Sequence, residues 1–358
     1  MKICFCIGKL TFSGAENVIR YLAGELIKKG YDVSVVLTGE MPGENDSIEG
    51  LTVEGAIVRG SGIKNTVKRI LAVRRALKKL RPDVFVIFNF AMAFTAVPAA
   101  MFFRKTKVVV CERNDPTSVP PSKKRQKARN FVFGLSDVCV SQTDNIAEYF
   151  KDVVKNNVVI PNPIRARGEM CADVSERSRV FATVARLDDY QKNQTMMIRA
   201  FASVVKKHPE YELHFLGSGP DLEKYTKLIS ELGIEDNVRL LGNVAAPLDY
   251  IRNCRGFLLS SKYEGMPNAL IEAMSIGLPC VSTDCLGGGA AALIADGENG
   301  FLVGLNDETA FADRICKLIE DDELCRKLGN SAYEINETLN GEKIVSKWES
   351  LFDSCSQK

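Results

Sequence analysis

Strand-like and helix-like signals alternate along this chain twice over, and a polar stretch from Arg165 to Arg179 separates the two series. In the first, Lys2–Ile7 is a short apolar run. Ala15, Val18, Ile19, Leu22 and Leu26 then recur at helical spacing until Gly30. Strands follow at Val33–Leu37, Val84–Phe88, Val108–Cys111, Val138–Ser141 and Val158–Ile160, with a helix over Ile63–Leu80. The second series runs Val180–Val184, Glu212–Leu216, Val238–Leu240, Gly256–Leu259 and Pro279–Ser282 as strands. Its helices are Thr195–Lys207, Asp221–Leu232, Ala269–Ile276 and Glu308–Glu320. Such alternation predicts an α/β protein with two doubly wound, Rossmann-like parallel sheets. The expected domains are 1–165 and 166–340. Ligands of such sheets bind outside the carboxyl ends of the strands, so the cleft between two sheets is the expected site.

Val84 to Phe103 carries no charge over 20 residues, long enough for a membrane span. Asn89 and Pro98 interrupt it, and it reads better as a buried strand followed by a buried helix over Ala91–Met101. Met1–Ile7 is too short for a signal peptide. Eleven scattered cysteines without CxxC spacing fit free thiols in a reducing, cytoplasmic compartment. Two histidines, with no cysteine cluster near them, make a metal site unexpected. Net charge is +2 but polarised: 1–165 carries 26 Lys+Arg against 15 Asp+Glu, and 166–358 carries 21 against 30. On the Ile63–Leu80 helix, Lys64, Lys68, Arg75, Lys78 and Lys79 share one arc. Ile63, Val67, Ile70, Val73, Leu77 and Leu80 lie opposite, as if toward a core, with Leu71 stranded among the cations. A second basic run spans Lys123–Arg129. These runs suit either a solvated face or an anionic membrane surface; no recognition module supports nucleic acid.

Three places carry chemistry. Ser13-Gly14-Ala15-Glu16 opens the first helix, where Gly14 admits a phosphate, although Ser13 and Glu16 also suit a capping box that needs no ligand. Arg186 and Lys192 follow the first strand of the second series and can clamp a diphosphate, or simply lie in a solvated loop. After Gly256–Leu259 comes Glu264, then Asn268 as a candidate cap presenting the Ala269 and Leu270 amides. Glu272 follows among apolar neighbours, either holding a pair of ribose hydroxyls or facing solvent.

EGMPNALIEAM, with seven residues between Glu264 and Glu272, resembles the E-x7-E motif of family 4 glycosyltransferases. VARLDDYQKN, IGLPCVSTDCLGG, DGENGFLV, FSGAENVI and CERNDP resemble further elements of that family, in order. The resemblance implies a GT-B fold, a donor site in the second domain, an acceptor site mainly in the first, and a C-terminal segment, 341–358, whose helix around Ile344–Phe352 returns to the first domain. It implies retention at the anomeric carbon without a metal or other cofactor. Arg186 and Lys192 then take the diphosphate, Glu272 the ribose and Glu264 the transferred sugar. Gly14, Gly217, Asn243, Val244, Gly265, Met266, Pro267, Asn268, Ala269 and Leu270 are the implied further donor contacts. Asn114 stands in the loop where many members carry a His near the reacting carbon. The implied partners are a nucleotide sugar, a UDP-hexose or UDP-N-acetylhexosamine, and a lipid-linked or polysaccharide acceptor. The rivals are a dehydrogenase, a nucleotide-sugar 2-epimerase and a non-catalytic paralogue. Gly8 to Gly14 lacks the G-x-G-x-x-G spacing of the first, and both glutamates and both cations weigh against the last.

Overall fold

The computed structural model describes residues 1–10, 14–41, 43, 48–164 and 169–356. The chain forms two compact units, Met1–Arg165 with Gly341–Lys358, and Ala166–Asn340. The first unit contains β1 (Lys2–Ile7), α1 (Gly14–Lys28), β2 (Asp32–Leu37), β3 (Thr52–Gly55), α2 (Ile63–Leu80), β4 (Val84–Ile87), α3 (Phe90–Ala100), β5 (Lys107–Cys111), α4 (Lys123–Phe133), β6 (Val138–Ser141), α5 (Asp144–Phe150) and β7 (Asn157–Val159). The second contains β8 (Val180–Val184), α6 (Asp189–Lys192), α7 (Gln194–Val205), β9 (Glu212–Leu216), α8 (Leu222–Leu232), β10 (Val238–Leu240), α9 (Pro247–Ile251), β11 (Gly256–Leu259), α10 (Asn268–Ser275), β12 (Cys280–Thr283), β13 (Phe301–Val303), α11 (Glu308–Glu320), α12 (Asp322–Tyr333) and α13 (Ile335–Thr338). The final helix, α14 (Gly341–Ser356), belongs to the first unit.

Both sheets are parallel throughout, in the orders β3-β2-β1-β4-β5-β6-β7 and β10-β9-β8-β11-β12-β13. A parallel sheet covered on both faces needs strands that are apolar on both sides, and β4 and β11 are buried end to end. Register follows, with Ile3 opposite Val33 and Val84, and Phe257 opposite Ala182 and Cys280. The uncharged Val84–Phe103 stretch divides into β4 and α3, capped by Asn89, whose side chain accepts from the Ala91 amide. Among the described residues no helix is long and apolar enough to cross a membrane. All eleven cysteines are buried, and none of them forms a disulfide.

Two expectations need correcting. On α2, Val73 and Leu77 are fully buried and Ile70 and Leu80 pack beside them. Ile63, however, is 86% exposed, and Val67 also faces solvent, because the first two turns extend past the core, while Leu71 is exposed among the cations as expected. The Lys123–Arg129 run is not a uniformly cationic surface: it opens α4, and Arg129 is completely buried.

The C-terminal helix buries a face that includes Ile344, Val345, Trp348, Leu351 and Phe352, with Trp348 its largest side chain. Trp348 is buried and stacks on Phe88, ring centroids 6.3 Å apart, and packs on Phe352 at 5.7 Å. Phe88 also meets Phe5 edge-on at 6.3 Å, so α14 is keyed to the residue that ends the β4 run. Trp348→Ala should cost the first unit about 3–5 kcal/mol. Urea unfolding followed by circular dichroism measures this, and a loss below about 1 kcal/mol would show that α14 is held some other way.

Candidate active site

In the second sheet β8 and β11 are neighbours, yet the chain leaves them in opposite directions, toward β9 and toward β12. This reversal opens a gap at their carboxyl ends, where ligands of doubly wound sheets bind. Arg186 and Lys192 follow β8, and Glu264 follows β11. The two connections are laced together. The Lys262 amide donates to the Gln191 carbonyl at 2.8 Å, Ser260 Oγ to the Lys192 carbonyl at 2.7 Å, and Gln191 Nε2 to the Tyr263 carbonyl at 3.2 Å.

That lacing brings Lys192 Nζ to 2.5 Å from Glu264 Oε1, which also accepts from Ser261 Oγ at 2.7 Å. Gln191 Nε2 lies 3.4 Å from Glu264 Oε2. Glu264 is buried, and a buried carboxylate needs such partners to remain charged. Arg186, its side chain 65% exposed, pairs with Asp188. The structure therefore joins Lys192 to Glu264 and leaves Arg186 accessible beside them in sequence.

Gly217 and Gly219 follow β9 because nothing larger fits. A Cβ on Gly217, at φ +145, would stand 2.0 Å from the Ala185 carbonyl oxygen, and one on Gly219 would stand 2.2 Å from that of Leu187. Backbone bonds seal the approach: Ala185 N donates to Leu216 O at 3.0 Å, Leu187 N to Ser218 O at 3.1 Å, and Gly217 N to Gly242 O at 2.7 Å. Gly217 thus shapes the backbone that carries Arg186. Asn243, exposed after β10, accepts from Ser218 Oγ at 3.0 Å, with half-buried Val244 next to it. Gly265 is packed by Gly289, where a Cβ would meet the Gly265 carbonyl at 2.2 Å.

Helix α10 differs from expectation at its start. It begins at Asn268, with Pro267 in the capping position and no side-chain cap, so Asn268 is a first-turn residue rather than a cap. The Leu270 amide donates to the Pro267 carbonyl at 3.1 Å, which leaves Ala269 of the two amides expected to face a ligand. Met266 and Pro267 are buried, and Glu272 is half-buried one turn into the helix. In the first unit Gly14 is exposed at the first position of α1 and Glu16 is buried, while Ser13 lies outside the described residues.

Sequence reasoning missed one buried ionic cluster. Past β5, Glu112 Oε1 accepts from the Arg113 and Asn114 amides at 3.0 and 3.3 Å, and Oε2 lies 3.4 Å from Arg129 Nη1, both side chains fully buried. Arg129 also donates to the Pro116 and Val119 carbonyls and to Tyr149. The half-buried Asn114 is therefore held by a carboxylate anchored on α4. Burial pushes Glu112 up to about 7, against the opposing pull of Arg129. The only hint in the sequence was an acid directly after an apolar strand.

Among the described residues one trio, His208, Cys316 and Glu320, brings three potential ligand atoms within 4.8 Å. The sequence placed no cysteine near a histidine; the packing of α7 on α11 does so. His208 Nε2 is already 2.9 Å from Glu320 Oε1, and His208 precedes β9, toward the amino ends of the strands.

Two family profiles match: "Glycosyltransferase Family 4" over residues 12–167 and "Glycosyl transferases group 1" over 172–335. A Campylobacter jejuni α-1,4-N-acetyl-D-galactosaminyltransferase, named for a diphospho-undecaprenol-linked GalNAc acceptor, is 28% identical over 97% of each chain. An uncharacterised glycosyltransferase of Methanocaldococcus jannaschii is 26% identical over 80% of this chain and 83% of its own. Among solved structures, Anabaena HepE in complex with UDP and glucose superposes with a TM-score of 0.83 at 18% identity, covering 99% of this chain and 100% of that one. The pneumococcal O-GlcNAc transferase GtfA in complex with UDP and GlcNAc gives 0.80 at 14%, covering 100% and 99%. These likenesses identify the fold as that of the GT-B glycosyltransferases.

Glu112 supplies a test of the buried cluster. Its folded value, about 7, is raised above the ordinary 4.5, so its contribution to stability is complete below 4.5 and is lost as pH rises through about 7. Glu112→Gln stays neutral and escapes that loss. The melting temperature of E112Q relative to the parent should therefore climb between about pH 5 and about pH 8. A difference that stays constant over that interval would mean Glu112 is ordinarily ionised.

Proposed function

The chain belongs to glycosyltransferase family 4, and on that premise we propose that it moves a hexose or N-acetylhexosamine from a UDP-sugar to a lipid-linked or polysaccharide acceptor in cell-surface glycan synthesis, with retention. The observation that carries this is the Lys192–Glu264 pair at the reversal of the second sheet. The UDP in the neighbouring structures and the diphospho-undecaprenol acceptor in the Campylobacter relative's name support the choice of donor and acceptor.

Arg186 exchanges Asp188 for the donor diphosphate, and Lys192 shares its charge between Glu264 and the same phosphates. Both offset the charge that grows on the leaving nucleotide, the largest electrostatic demand of the reaction. Glu264, oriented by Lys192 and Ser261, accepts from hydroxyls of the transferred sugar. Glu272 holds the ribose, while the Ala269 amide adds a donor. The acceptor hydroxyl attacks from the face the nucleotide leaves and passes its proton to an oxygen of the departing diphosphate, with Asn114 of the first unit beside the acceptor and no metal required. The first unit carries the acceptor.

A membrane surface is the proposed place of work, approached from the cytoplasm. Helices α2, α3 and α4 pack side by side in the first unit. Besides Ile63, Val67 and Leu71 they expose Phe102 and Phe131, 68% and 70% accessible. Lys64, Lys68, Arg75 and Lys78 are exposed among them, and Arg74 lies 4.3 Å over the Phe102 ring. Lys79 is tied to Glu54 at 2.6 Å and contributes less. Exposed aromatic and aliphatic residues interleaved with cations suit the headgroup region of an anionic bilayer.

Incubation with nucleotide sugars, with and without lipid-linked acceptors, should release nucleotide in an acceptor-dependent manner. Arg186→Ala and Lys192→Ala should each lower turnover about tenfold or more. Acceptor-independent release would favour the epimerase, and full activity in both variants would sink the site. The parent should also sediment with anionic vesicles at low salt, and Lys64→Glu with Lys68→Glu, or Phe102→Ser with Phe131→Ser, should abolish this. Equal sedimentation of parent and variants would exclude the surface.

A further inference from the structure

Arg113 stands two residues past β5, half-buried, with its guanidinium 4.4 Å over the Phe88 ring. Through Nη2 it donates to Asn162 Oδ1, which also accepts from Gln142 Nε2 at 2.8 Å. Gln142 follows β6 and Asn162 follows β7, so three consecutive strands of the first sheet deliver these side chains at their carboxyl ends. The cluster is rigid from below. Phe88 stacks on Trp348, and Glu112 fixes the Arg113 backbone.

Two features of the cluster are unfinished. The first is charge. The buried Arg129 and Arg255 face Glu112 and Asp322, but among the described residues no carboxylate lies within ion-pair distance of Arg113. Burial weakens the hold of Arg113 on its proton, to about 10. The neighbouring Glu112 is occupied by amides and by Arg129. The second is hydrogen bonding: Gln142 is 2% exposed, yet its Oε1 has no donor among the described residues. A desolvated cation beside an unpaired acceptor is costly by itself and is matched by a ligand that brings an anion and a hydroxyl.

We propose that Arg113, Asn162 and Gln142 form a phosphate subsite of the first unit, which takes the phosphate nearest the sugar in a glycosyl-diphosphate acceptor. The planar guanidinium with donors to spare suits a phosphate bidentately, and a sugar hydroxyl satisfies Gln142 Oε1. The donor's own diphosphate is the other source of the same chemistry, but Arg186 and Lys192 already answer it in the second unit. The assignment to an acceptor rests on the transfer reading above; the anion site does not.

The test uses the full chain and two probes. UDP is titrated first by calorimetry; its failure to bind counts against the transfer reading alone. Inorganic pyrophosphate is then titrated with UDP held saturating, so that the donor site is occupied. Trp348, the only tryptophan, reports through Phe88 on events at Arg113. The parent should bind pyrophosphate with a saturable change in Trp348 emission. Arg113→Gln should weaken that binding about tenfold or more while UDP affinity stays within about twofold, and Arg113→Lys should recover part of the loss. Circular dichroism of R113Q checks that the unit stays folded. Pyrophosphate binding equal in parent and R113Q would overturn the subsite. Loss of UDP affinity with pyrophosphate binding intact would move Arg113 to the donor and overturn the acceptor assignment.

Discussion

Adjacent parallel strands whose connections leave on opposite sides cannot close the sheet over their own carboxyl ends, and the second unit depends on how that opening is lined. β8 and β11 stand at the reversal. Their two connections would drift apart without the hydrogen bonds that lace 191–192 to 260–263 and the ion pair that ends the lacing at Glu264. The pair is part-buried, and removing one partner leaves the other without its counter-charge. Lys192 and Glu264 therefore fix the geometry of the loops before any ligand arrives. On the proposed roles, a phosphate that recruits Lys192 competes with Glu264 for the same ammonium group, which couples diphosphate binding to the orientation of that carboxylate through one side chain.

The first unit solves a different problem with similar means. Its β5 connection is held by a carboxylate turned inward, onto two of its own amides and a buried arginine of α4. This leaves the Arg113 guanidinium over the Phe88 ring, which in turn stacks on Trp348 of the C-terminal helix. Helix α14 thus takes part in the packing under Arg113, since Trp348 supports it through Phe88.

Both sheets were legible in the sequence because every central strand is a short apolar run and most helices carry a clear apolar stripe. β3 and α4 were not. Thr52–Gly55 is too short and too polar to register, and α4 packs through Gln126, Arg129 and Phe133, so its buried face reads as part of a basic run. Of the residues the sequence singled out at the site, the structure joins Lys192 to Glu264, pairs Arg186 with Asp188 and leaves Glu272 half-buried on α10. What the sequence hid were choices made by backbone geometry, such as the Leu270 amide turned to Pro267 and the glycine at 217 required by the Ala185 carbonyl. The Glu112–Arg129 pair also stayed hidden, since partners 17 residues apart on a strand end and a helix leave no periodic mark.

Hydrogen exchange with and without UDP tests most directly the claim that the reversal of the second sheet is the donor site. Amides of 185–193 and 260–272 should gain protection on UDP addition, while the strands behind them, slow already, change little. Protection confined to the first unit, or to the His208–Cys316 side of the second, would contradict the account.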